Sequence, residues 1–208
     1  AEHQNSDGSW SLRGFKHAAD CNCDGDGGFG GKAPGTALAM LPFLGAGQTH
    51  QVGKYKNTVS KGLRWMLTHQ GENGDLRDGA NGTEGMYTHG QGTIVLCEAF
   101  AMTGDEQLRI PAQRAVDFIL KAQYNDGGWR YSPTTRSERG DTSVVGWQLM
   151  ALQSARAANL TVPDQSLGMA SLFFDGVQSR DGERYAYMRG QTATPVMTAE
   201  ALLCRMYL

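Results

Sequence analysis

The 208-residue chain has no Cys-x-x-Cys pair, no long apolar run and no surplus of positive charge. Each absence removes a class of function. Without a Cys-x-x-Cys pair there is neither a thioredoxin-type redox motif nor a zinc ribbon. The longest apolar run, residues 37–44, contains Pro42 and falls far short of the roughly 20 residues that cross a bilayer, so no membrane span is expected. Lys and Arg number 19 against 21 Asp and Glu, a formal charge of −2. The basic footprint of a nucleic-acid binder is therefore missing. Strand-type alternation is weak throughout.

Glycine is abundant instead, at 28 residues, nearly twice the usual share of ~7%. The glycines follow no three-residue period, which excludes collagen. They cluster between apolar blocks and so mark tight turns between regular elements. Cys97 and Cys204 lie in apolar stretches, where a free thiol acts as a small hydrophobe. No leader segment is visible, and the composition suits a soluble protein, cytoplasmic or exported.

A repeat organises the glycines. Gln4, Gln70, Gln123 and Gln178 are each followed four residues later by a glycine: Gly8, Gly74, Gly127 and Gly182. Two of these corners close on tryptophan, Trp10 and Trp129; the third has Leu76 there and the fourth has Arg184 followed by Tyr185. The last three glutamines are preceded by helical patterns over residues 54–69, 110–122 and 163–177, each with an aromatic residue five before the glutamine (Trp65, Phe118, Phe173). After each corner comes a more apolar helix, near residues 36–44, 89–102, 141–158 and 195–208. Helices apolar all round are inner and amphipathic ones outer. The pattern predicts an all-α domain of seven antiparallel helices over 1–208, with a Gly/Asp/Cys-rich insertion at 17–35.

The Gln-x-x-x-Gly-x-Trp corners resemble the QW repeat of squalene cyclases, and Gly27-Gly-Phe-Gly-Gly31 resembles the related repeat of protein prenyltransferases. The resemblance to this terpenoid cyclase and prenyltransferase superfamily implies an α/α toroid, partial or complete, around an apolar cavity. It implies a ligand that is an isoprenoid or another apolar small molecule. Only three and a half hairpins are present, which implies either a fragment of a longer toroid or open edges that a partner or self-association would cover. The Asp-x-Asp-Asp acid motif of the proton-initiated cyclases is absent from these residues.

The corners themselves read as scaffold. A glutamine amide can both donate and accept, and so can serve the free carbonyls of one helix end and the free N–H groups of the next start. Chemistry is expected where the inner helices begin, on one rim of the cavity. Asp141 and His89 are the catalytic candidates there: Asp141 is either an N-cap or a general acid, and His89 either lines the cavity or bonds a neighbouring carbonyl. Tyr87, Tyr131, Arg139, Ser143, Trp147 and Tyr187 complete the cavity or rim set. In the insertion, His17, Asp20, Cys21, Asn22, Cys23 and Asp24 offer an incomplete zinc or calcium ligand set, or a loop that bonds its own backbone. Two functions stay open: a cyclase- or prenyltransferase-like domain acting on an isoprenoid, and a catalytically silent α/α scaffold that binds a ligand or a protein.

Overall fold

A computed structural model of the chain describes residues 1–15, 25–28, 30–133 and 139–208. The candidate ligands His17, Asp20, Cys21, Asn22, Cys23 and Asp24 lie outside the described residues. Among the described residues seven α-helices carry the fold: α1 (Lys32–Gly45), α2 (Lys56–His69), α3 (Gly85–Thr103), α4 (Glu106–Ala122), α5 (Thr142–Ala157), α6 (Asp164–Val177) and α7 (Pro195–Tyr207). Two short strands, β1 (Gln178–Ser179) and β2 (Arg184–Tyr185), pair antiparallel between α6 and α7.

The odd-numbered helices stand side by side in the order α1, α3, α5, α7, and the even-numbered ones pack behind them. The sequence pattern explains the division. Fourteen of the 19 residues of α3 are buried, against five of 14 in α2, as apolarity on all sides requires of an inner helix. Met40, Met86, Leu96, Ile119, Leu149, Trp129 and Phe174 are fully buried between the two rows; each large apolar side chain so buried contributes about 1.5–3 kcal/mol. At the end of the row α7 buries only Ala201 and Cys204, and Val196 and Met206 stand 70% and 82% exposed.

Two of the inner helices, α1 and α3, begin earlier than their apolar patterns suggest. Helix α1 starts at Lys32 and α3 at Gly85, because Pro34 is at home in a first turn and the polar start of α3 is stabilised by packing rather than by apolarity. His89 is thereby moved from the rim into the second turn of α3.

The glutamine corners recur in three dimensions. The side-chain amide of Gln4 donates to the carbonyls of Gly8 and Thr58, that of Gln70 to Gly74 and Pro111, and that of Gln123 to Gly127 and Ser166. Each glutamine thus binds its own corner and then an early turn of the next outer helix. This corrects the expectation that it bridges the two helix ends it joins. The backbone of Gln70 and Gln123 is extended, and that aims the side chain across the molecule. Glycine is required because its backbone touches the same neighbour: a Cβ on Gly127, at φ +86°, would stand 1.9 Å from the carbonyl oxygen of Met169. Trp129 seals the junction, wholly buried, and its indole N–H donates to Ile119 at 2.8 Å. The fourth corner differs. Arg180 and Asp181 take positive φ, and Gln178 and Tyr185 face each other in the β1–β2 pairing.

Candidate functional site

The first turns of α3, α5 and α7 and the loops before them bring a group of polar and aromatic side chains together. Asp141 caps α5: its Oδ1 accepts the N–H of Val144 at 2.9 Å and the hydroxyl of Ser143 at 2.8 Å. That is the capping role its position before an apolar helix foretells. Ser143 reaches on to the phenol of Tyr87 on α3, 2.5 Å away. The phenols of Tyr131 and Tyr187 meet at 2.6 Å, and the Tyr87 and Tyr131 rings lie 6.2 Å apart. Main-chain bonds hold these loops on the helix starts: Met86 N–H donates to Tyr131 and Thr142 N–H to Tyr187.

Arg130 and Glu200, neither singled out by the sequence, complete the group. Arg130 stacks over the Tyr131 ring at 5.1 Å and sets its Nε 3.7 Å from Oδ2 of the wholly buried Asp141. Its side chain is 31% exposed, so the guanidinium is only partly covered. Glu200 comes from the second turn of α7 and lies over Gly146 of α5, where a Cβ would touch its carboxylate. A carboxylate on an otherwise apolar inner helix is the only sequence signal that could have marked it. Arg130 carries none beyond following Trp129.

Burial governs the electrostatics. It raises the Asp141 carboxyl above its ordinary range against the two hydrogen bonds on Oδ1. Burial, aided by the negative charge of Asp141, pushes Glu200 up to about 7. The same desolvation holds the phenols of Tyr87 and Tyr187 protonated, above the usual tyrosine value. The group therefore offers one open cation, one carboxylate that titrates near neutrality, and phenols that donate. Beside it a cavity of about 440 Å³ opens between α1 and α3, with Tyr87, Tyr131, Leu38 and Glu84 in its walls.

His89 stands apart from this group. Its ring is fully buried; Nδ1 accepts the N–H of Leu76 at 3.2 Å, so Nε2 carries the proton and donates to the carbonyl of Ala115 at 3.0 Å. Thr36 Oγ1 receives the N–H of Trp10 and Thr198 Oγ1 that of Tyr185 in the same way. His89 thus fills the position at which an inner helix accepts a hydrogen bond from its corner, and burial pulls its pKa down to about 4. Both nitrogens are committed to the scaffold, and the idea of a catalytic His89 is withdrawn on that ground. Trp147 packs half-buried against the core, and Arg139 lines a different cleft. Among the described residues no three His, Cys, Asp or Glu side chains gather as a metal site.

The family model for pectic acid lyase matches residues 81–142. This corrects the resemblance to squalene cyclases and protein prenyltransferases: the stretch from α3 to the start of α5 is similar to a different family, and the terpenoid reading is dropped. No curated protein matches the chain.

Proposed function

We propose that the chain binds an acidic sugar polymer of the pectic acid type, a polyuronide, at the mouth between the first turns of α3, α5 and α7. One observation carries this reading. The stretch similar to pectic acid lyase, residues 81–142, is the stretch that delivers Tyr87, Arg130, Tyr131 and Asp141 to one place. The chemistry of the group suits such a ligand. Arg130 pairs with a sugar carboxylate, the tyrosine rings offer faces to the sugar, and Glu200 accepts from hydroxyl groups. The two rows of helices are read with it as part of an α/α toroid whose inner row surrounds the bound chain.

A lyase cleaves such a chain by elimination. A base removes the proton from the carbon that bears the carboxylate, the C–H electron pair becomes a double bond, and the glycosidic oxygen leaves with a proton. Glu200, titrating near neutrality, is the base in this proposal, Arg130 stabilises the charge that builds on the carboxylate, and the protonated phenol of Tyr87 gives its proton to the leaving glycosidic oxygen. Incubation with polygalacturonate tests it by the ultraviolet absorbance of the unsaturated uronate product. Glu200→Gln abolishes the rise and keeps binding. A protein that does not bind polygalacturonate at all overturns the proposal.

A second reading has its own support. Asp141 is occupied as a cap, and the four hydroxyls of Tyr87, Ser143, Tyr131 and Tyr187 are paired with one another. That arrangement suits a catalytically silent scaffold that holds the same ligand without cleaving it. Binding without any product selects it.

A further inference from the structure

A second cleft, of about 190 Å³, opens between the C-terminal turns of α6 and the loops that carry Arg139 and Arg189. Leu172, Phe173 and Val177 give it an apolar wall. Its one carboxylate among the described residues, Asp126, has both oxygens occupied: Oδ1 accepts the N–H of Gly128 at 3.0 Å and Oδ2 that of Gly140 at 2.9 Å. Arg139 and Arg189 are both exposed and have no ion pair or side-chain hydrogen bond among the described residues. The cleft therefore holds two uncommitted guanidinium groups and one carboxylate already spent on the backbone.

The position of Arg189 is built rather than casual. A Cβ on Gly176 would stand 3.1 Å from both Nε and Nη2 of Arg189, so the guanidinium lies flat across a residue without a side chain. The end of α6 is also where a helix favours a cation. That explains why the arginine rests there and leaves its N–H donors unspent. On the other side of the cleft the backbone next to Arg139 is anchored, because the N–H of Gly140 is the one held by Asp126.

We infer that this cleft is a second anion subsite, which takes the carboxylate of one sugar-acid residue between Arg139 and Arg189 and rests the sugar ring on Leu172 and Phe173. The volume fits one residue of a chain rather than an oligomer, since pockets for larger ligands run to ~300–1,000 Å³. The inference rests on the polyuronide reading and extends it. Arg139 lies two residues before Asp141 and Arg189 two after Tyr187, so the loops that shape the mouth also shape the cleft. A polymer with a carboxylate on every unit can engage both.

The test is a titration of ¹⁵N-labelled protein with D-galacturonate and its trimer, following the arginine Nε–H resonances, assigned through Arg130→Gln, Arg139→Gln and Arg189→Gln. The expected result is that the trimer moves the Arg139 and Arg189 signals together with that of Arg130. Removing both cleft arginines weakens trimer binding about tenfold or more, the scale of charge-assisted hydrogen bonds, without weakening the monomer at Arg130. Gly176→Ala, which displaces Arg189 at constant charge, reproduces part of the loss. Movement of Arg130 alone overturns the cleft and leaves the mouth standing. Movement of Arg139 and Arg189 alone supports the cleft and removes the mouth. If no signal moves, both are overturned.

Discussion

Nε of Arg130 stands 3.7 Å from Oδ2 of Asp141, and neither atom has a hydrogen-bond partner within the described residues. The pair is an electrostatic one, between a carboxylate with no exposed surface and a guanidinium with one side toward solvent. Arg130→Gln removes the only described cation beside a buried charge. We expect a loss of about 1–3 kcal/mol in chemical denaturation at pH 7, below the 3–5 typical of fully buried pairs because Arg130 is partly exposed. The burial-raised Asp141 is easier to neutralise, so the loss shrinks as the pH is lowered toward 4. A loss independent of pH would mean that Arg130 acts by packing on Tyr131 alone.

His89 predicts a slope of the opposite origin. Its folded pKa of about 4 lies below the ordinary histidine value of 6.5. The unfolded chain therefore binds the extra proton between those limits, and stability rises with pH across that window. The contribution present above pH 6.5 is lost on acidification to about 4, a change on the order of 3 kcal/mol. His89→Gln, measured by denaturation at several pH values, should flatten this part of the profile while lowering stability overall, because the Leu76 N–H and the Ala115 carbonyl lose an ideal partner.

Glu200 titrates the other way. Its folded pKa of about 7 lies above the ordinary 4.5, so the folded state holds a proton that the unfolded state has released. Stability contributed by the protonated form is present below pH 4.5 and is lost as the pH rises through 7. Glu200→Gln should raise Tm at pH 8 and leave it nearly unchanged at pH 4. An equal effect at both pH values would show that the carboxylate is not desolvated between α5 and α7.

The glutamine corners make a graded prediction. Gly127→Ala brings a Cβ within 1.9 Å of a backbone oxygen at positive φ and should cost about 3 kcal/mol or more, or prevent folding. Gly182→Ala shares the positive φ, but its nearest neighbours are side-chain atoms at 3.4 Å or beyond, and should cost only about 1 kcal/mol. Gln123→Ala, which removes both amide bonds to the Gly127 and Ser166 carbonyls, should fall between them at about 1–2 kcal/mol. Equal costs for the two glycines would deny that close approach to the next outer helix is the reason for glycine.

The corners and the helices they join were legible because their signals are local. Gln123 and Gly127 are four residues apart, and the cap made by Asp141 depends only on the turn that follows it. The partners of the corners were not legible: nothing near Gln70 in sequence announces the carbonyl of Pro111, 41 residues on. The β1–β2 pairing escaped because it depends on positive φ at Arg180 and Asp181, residues without an intrinsic preference for that conformation. His89 misled because histidine suggests chemistry. Its equivalence to Thr36 and Thr198 becomes visible only when the three hydrogen bonds from the corners are superposed. Glu200 and Arg130 gain meaning solely from the approach of α7 to the α5 start. The squalene-cyclase likeness was drawn from the corners, which serve the scaffold, whereas the family match falls on residues 81–142.

The first three glutamine corners each tie their own loop to the outer helix immediately ahead. Mechanical support is therefore passed from hairpin to hairpin like links in a chain, as in other nearest-neighbour arrays. Backbone amide exchange should accordingly begin at α7, where little is covered, and reach the middle of α3 last. The loops at the α5 start would then loosen before the centre does, so a ligand seated there would act as a clasp on the weaker half of the molecule.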